Sequence, residues 1–153
     1  MKTKGKMIAY WTVTSLLAVS ILLSGAGQLM KLGGNIELVK NIGYPLYIMN
    51  ILGIWKILGV IAIVVPGFPR LKEWAYAGIF FLMTGAAFSH VLANDYGDYG
   101  FHIILPLFYV TLNIVSWALR PQSRILGNLL DKTEKRVQKQ SLVLNDSVTP
   151  NTK

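Results

Sequence analysis

Four apolar runs, at about residues 7–30, 44–65, 73–93 and 101–119, are separated by short polar connections, and they constrain this chain more than any other feature. An apolar stretch of about 20 residues can cross a bilayer as a helix, because a helix satisfies its backbone polar groups internally where no water is present. With 153 residues in all, four such runs leave only a tail at 121–153 and no room for a sizeable soluble domain. Composition agrees. Hydrophobic residues make up 53% and charged residues 14%, against about a quarter charged in a soluble domain, and the mean hydropathy is +0.47. The expected fold class is all-α, an integral membrane four-helix bundle in residues 1–120.

The net charge of +8 would suggest nucleic acid in a soluble protein, but its placement points instead to the lipid bilayer. Lys2, Lys4 and Lys6 precede the first run, Arg70 and Lys72 sit in the middle connection, and the remaining large group of cations runs from Arg120 to the end. The other two connections carry only Lys31 and Lys40. The positive-inside rule therefore predicts cytoplasmic N- and C-termini in a multi-pass membrane protein. The basic start followed by Ser24-Gly25-Ala26 has the outline of a signal peptide and its cleavage site. The apolar run exceeds a usual h-region and three more follow, so an uncleaved first helix is expected.

The connections are legible in outline. Lys31 to Gly43 reads as a loop with one short interfacial helix outside the membrane. Tyr44-Pro45 opens the second span, where a proline's missing N–H would be unpaired anyway. Pro66-Gly67-Phe68-Pro69 ends it, Lys72 and Glu73 open the third span, and Asn94 to Gly100 forms an acidic external turn. Pro106 is expected to kink the fourth span. In the basic tail, Leu126, Leu130 and Val137 share a face between about Ser123 and Gln140. That segment reads either as a helix lying on the anionic inner leaflet or as a solvated tail. Asn145 to Lys153 has nothing to bury and is expected to be disordered.

Little conventional chemistry is available. There is no Cys, which excludes thiol nucleophiles, thiolate metal sites and disulfides, and no nucleotide, HExxH or GxSxG motif occurs. The informative residues are ionisable groups within or beside the spans. A lysine at a span's centre costs about 2.5–3.5 kcal/mol on insertion scales, so Lys56 is either a ligand or proton site or a polar packing contact. Counting from the cytoplasmic ends puts Ser15, Thr84 and Asn113 near its depth. Glu73 suits the first turn of a helix, where unpaired N–H groups favour a negative charge, or it pairs with Lys56, Arg70 or Arg120. His90 and His102 both fall near the external interface, too close to the headgroups for a bis-histidine haem. With only Asp95 and Asp98 beside them, no metal is expected. His90 is instead placed with Gln28 and Asn50 in a polar, aromatic-rimmed pocket that would take the head of a quinone or another lipophilic small molecule. Ser20, Ser24, Gly85, Ser89 and the Gly25-Ala26-Gly27 run mark close helix contacts, within one bundle or between copies in a homo-oligomer.

Three segments together resemble the DoxX-like family of small four-span membrane proteins: Leu52-Gly53-Ile54-Trp55-Lys56-Ile57-Leu58-Gly59, then Phe68 to Gly78 with Arg70-Leu71-Lys72-Glu73-Trp74, then Thr84-Gly85-Ala86-Ala87-Phe88-Ser89-His90. The resemblance covers about residues 8–120 and leaves the tail outside. It implies a bacterial inner-membrane bundle, and the wider group includes a small subunit of an archaeal thiosulfate:quinone oxidoreductase. An accessory redox role follows as an expectation, with a quinone as ligand, a membrane or peripheral oxidoreductase as partner, and no enzyme activity of its own. Lys56, Glu73 and His90 fall on the family's recurrent polar positions. Gln28 stands where family members commonly carry Lys after Ser-Gly, which weakens the transfer of any anion-binding role to that point. The rival reading is a structural or transport-accessory protein without a small-molecule site.

Overall fold

The computed structural model describes residues 2–121 and 124–148. They form α1 (Lys2–Leu29), α2 (Gly33–Asn41), α3 (Ile48–Val64), α4 (Pro69–Leu92), α5 (Phe101–Leu119) and α6 (Leu126–Val148), with a 3₁₀ turn at Asp98–Gly100 before α5. Among the described residues there is no strand. Short connections make sequence neighbours antiparallel, and α1, α3, α4 and α5 close a ring in which α1 packs on α3, α3 on α4, α4 on α5 and α5 on α1. One end of this ring carries α2 and the 94–100 turn and is called the α2 end. The other carries Lys2 and the start of the tail and is called the tail end.

The core is a column of apolar side chains from all four helices, including Leu17 and Ile21, Val60 and Ile63, Ile79 and Met83, and Val110. The outward faces are equally apolar, with Trp55, Phe81 and Phe88 exposed. Such a surface suits hydrocarbon and not water. Helices α1, α4 and α5 are each long and apolar enough to cross a membrane, whereas α3 is apolar but has 17 residues, or about 25 Å at 1.5 Å per residue.

The helix limits differ from the sequence expectation in ways that have local causes. Helix α1 begins at Lys2, five residues early, because lysine is a good helix former whose ammonium can stay in water while the backbone continues the helix. Helix α3 begins at Ile48 and not at Pro45. The chain reaches it through a tight turn in which the N–H groups of Ile48, Met49 and Asn50 donate to the carbonyls of Pro45, Leu46 and Tyr47, three residues back. Pro106 lies within a continuous α5. In the tail, α6 runs on through Asn145 to Val148, beyond the expected limit, since propagating an established helix is easier than starting one. Its residues from Thr133 to Leu144, Val137 among them, are exposed. The side chains of Leu126 and Leu130 and the segment 149–153 lie outside what the structure describes.

Close approach of α1 and α3 needs glycine on both sides. A Cβ at Gly53 would meet the Gly25 carbonyl oxygen and Leu29 Cγ, each at 2.8 Å, and one at Gly25 would meet the Gly53 oxygen at 3.1 Å. Backbone cannot yield as a flexible side chain can. Gly53→Ala is therefore expected to lower stability by about 1–3 kcal/mol, read as an earlier thermal transition in detergent. Gly78→Ala, whose added Cβ meets nothing within 4 Å, should leave the transition unchanged or slightly raised.

Candidate functional site

Towards the α2 end the ring opens into a cavity of about 490 Å³, with α2 contributing Asn35, Leu38 and Val39 to its wall. Most of the lining is apolar, and the polar groups include Ser24 and Gln28 from α1, Lys56 from α3 and His90 from α4. The direction of Lys56 follows from helix geometry. A helical side chain leans back over the turn N-terminal to its own Cα, and the N-terminus of α3 is at the α2 end. Lys56 is accordingly only 7% exposed, and its Nζ donates to Ser24 Oγ at 2.9 Å. This replaces the companions expected from depth alone. Ser15 is exposed, Thr84 returns its hydroxyl to the Phe80 carbonyl, and Asn113 donates to the Tyr76 carbonyl.

Gln28 lies one turn beyond Ser24, and its Oε1 is buried without a hydrogen-bond partner among the described residues. A buried carbonyl oxygen left in this state is costly, on the order of 1–3 kcal/mol. His90 completes the polar set. Its Nδ1 lies 2.9 Å from Asp95 Oδ2, which orients the ring at the cavity's mouth. Asn50, grouped with His90 and Gln28 by sequence reasoning, is exposed at the start of α3 and does not line the cavity.

Glu73 and Asn113 are not part of this cavity. They line a separate groove of about 410 Å³ between α4 and α5, towards the tail end. There Glu73 accepts from Arg120, with Oε1 2.8 Å from Nη1 and Oε2 3.1 Å from Nη2, and from Trp117 Nε1 at 3.0 Å. The Arg120 guanidinium also sits over the Tyr76 ring, 5.0 Å from its centroid. Of the pairings considered for Glu73, the structure has the one with Arg120.

Sequence reasoning missed a polar cluster between these helices. Thr14 Oγ1 and Ser116 Oγ are 2.7 Å apart, and Tyr76 Oη is 2.8 Å from the same Ser116 hydroxyl; all three residues are buried. It also missed Lys72, which is buried and caps α3 by donating to the Ala62 and Ile63 carbonyls at 2.9 and 3.0 Å and to the Val65 carbonyl. Arg124 adds donors to the Ile63 carbonyl and to Tyr10 Oη. A cation beside a helix's last carbonyls satisfies orphan acceptors and opposes the helix dipole. In sequence Lys72 looks like one more flanking charge, and only the seating of α4's first turn beside α3's last shows its target.

Helix α4 opens at Pro69 and not at Lys72, so Glu73 falls past its first turn and not within it as expected. Lys56 facing Ser24, Glu73 near the start of α4 and His90 near its end occupy one bundle, in an order and spacing that a family description can be set against. The sequence model of the DoxX-like family matches residues 12–116, more than half of the chain. The chain belongs to the DoxX-like family. No curated protein and no solved structure matches it. The matched range takes in most of every helix of the ring, so this DoxX-like membrane protein carries its α2-end cavity and its buried hydroxyl cluster within the family portion, whereas Trp117 and Arg120, the partners of Glu73, lie just beyond it. Helix α6 lies outside it.

The two polar regions should separate experimentally. Glu73→Gln removes the counter-charge of an arginine that is 3% exposed in its side chain, while Glu73 itself is 31% exposed. A loss of about 1–2 kcal/mol is expected, less than for a fully buried pair. It should appear as a lower melting temperature in detergent, with retention of any molecule bound at the α2-end cavity unchanged.

Proposed function

We propose that this DoxX-like protein binds a lipophilic small molecule with a polar head, of the quinone class, in the α2-end cavity and acts as an accessory to a membrane or peripheral oxidoreductase. The observation that carries the reading is that Lys56 and Gln28 both line one largely apolar cavity, Gln28 lying one turn beyond the Ser24 that Lys56 bonds. The ammonium has donors beyond the one given to Ser24, suited to a quinone carbonyl. The unpartnered Gln28 Oε1 is an acceptor suited to a hydroquinone hydroxyl. A donor and an acceptor side by side can serve both redox states of one ring, and a cavity of this size falls within the range of small-molecule sites. The reading assigns the electron transfer chemistry to the partner oxidoreductase. The Lys56–Ser24 bond between α3 and α1 supports a second reading, a purely structural role in which Lys56 fastens the two helices.

Lipid extraction and mass spectrometry of the protein purified in mild detergent, together with its absorption spectrum, decide between them. A quinone enriched in the wild type and depleted in Lys56→Met supports the site. No enriched molecule in the wild type, with Lys56→Met melting earlier than the wild type, supports the structural role.

The same reading places the protein in the cell inner membrane, with α1, α3, α4 and α5 crossing and both termini in the cytoplasm. The clustering of Lys4, Lys6, Arg70, Lys72, Arg120 and Arg124 towards the tail end supports this. Because the chain has no Cys, single cysteines report sidedness cleanly. Tyr99→Cys, at a fully exposed turn position, should react with a membrane-impermeant maleimide in intact cells, whereas Lys4→Cys should react only after permeabilisation.

A further inference from the structure

The turn joining α4 to α5 does more than reverse the chain. Asp95 is set between two imidazoles, with Oδ2 2.9 Å from His90 Nδ1 and Oδ1 3.1 Å from His102 Nδ1. The two rings lie 5.1 Å apart between centroids. One ligand atom from each of the three residues can be chosen so that all lie within 4.8 Å of one another. A tetrahedral ion with bonds of about 2.0–2.2 Å holds its ligands about 3.4 Å apart, so rotation of the rings by a small amount closes the set.

The backbone is built to hold this arrangement. Asn94, Gly97, Tyr99 and Gly100 all have positive φ within one short turn, a conformation that is disfavoured for the two non-glycine residues. The Asp95 N–H donates to the His90 carbonyl at 2.9 Å and the His102 N–H to the Tyr96 carbonyl at 3.2 Å, which fixes all three side-chain origins relative to one another. Gly97 is required by the His102 ring itself. A Cβ there would meet His102 Cδ2 at 2.6 Å and Nε2 at 2.7 Å. The sequence expectation of no metal rested on seeing Asp95 only as a loop acid near two histidines, whereas the fold makes it the link between them.

We propose that His90, Asp95 and His102 form a binding site for a divalent transition metal ion of the zinc type, at the mouth of the α2-end cavity. Two imidazole nitrogens and one carboxylate oxygen are the donors such an ion prefers, and three protein ligands leave a fourth position for water or for an oxygen of a molecule in the cavity. Binding uses the lone pair of one nitrogen of each imidazole, with the ring proton on the other nitrogen. His90 and His102 both line the cavity, so the open position is shared with it. The site stands apart from the quinone reading, because metal uptake is measured without any lipophilic molecule.

The test uses tag-free, full-length protein in mild detergent, stripped with a chelator and titrated with Zn²⁺, with Co²⁺ as a spectroscopic stand-in. The expected result is one Zn²⁺ per chain, with Co²⁺ giving the visible bands of a four-coordinate site. His90→Ala, His102→Ala and Asp95→Asn should each weaken binding at least about tenfold. Gly97→Ala, which keeps all three ligands but displaces the His102 ring, should weaken it too. Wild-type protein that takes up no Zn²⁺ would overturn the proposal. So would uptake that survives in folded His90→Ala and His102→Ala proteins, since the ion would then sit elsewhere. Folding of each variant is checked by its metal-free thermal transition.

Discussion

The passage of α1 against α3 at Gly25 and Gly53 is the contact on which the α2 end depends. Without side chains at either position, the two backbones come close enough that a Cβ on Gly25 would lie 3.1 Å from Lys56 Cβ. That proximity brings Ser24 within reach of the Lys56 ammonium. In a bilayer there is no hydrophobic drive between helices, so tight packing of small residues and hydrogen bonds between helices carry the association. The Lys56–Ser24 bond is both. It joins two helices and stations a cation on a cavity wall.

The bundle divides its polar groups between its two ends. Near the tail end most of them meet one another: Lys72 and Arg124 meet the last carbonyls of α3, Arg120 meets Glu73, and Thr14, Ser116 and Tyr76 share hydroxyl bonds, while Asn113 Oδ1 has no hydrogen-bond partner among the described residues. Around the α2-end cavity they are incomplete, with Gln28 Oε1 unpartnered and one carboxylate shared by two imidazoles. An unpartnered polar group on a cavity wall has capacity for a ligand. The redox-accessory proposal and the metal proposal both draw on the polar groups of the α2-end cavity, and both place chemistry beneath α2.

Much of the architecture was legible beforehand. The apolar runs located α1, α4 and α5 to within a few residues, and Gly33-Gly34-Asn35 followed by scattered apolar residues marked the short helix α2. Lys56 and His90 stood out because ionisable groups are expensive in hydrocarbon, and both do line the cavity. Depth counting failed for Lys56's partner. It located Cα positions along the axis but ignored that a side chain several ångströms long leans towards its helix's N-terminus, which on an antiparallel neighbour selects Ser24 and not Ser15. Asn50 was grouped with His90 by depth as well, but its position around α3 leaves it exposed.

By itself, then, the sequence determined that this is an all-helical membrane protein, because apolar length is a local property that no packing can reverse, and its match over residues 12–116 determined the DoxX-like family. It also determined which residue types are available for chemistry. Only the tertiary structure decided which of them meet. Whether Glu73 faces Arg120 or Lys56, whether Lys72 caps α3, and whether Asp95 lies between His90 and His102 all depend on how helices rotate about their axes and how one strained turn bends. Those are properties of the packed bundle, set by contacts between residues far apart in sequence or by backbone angles that a residue list does not carry.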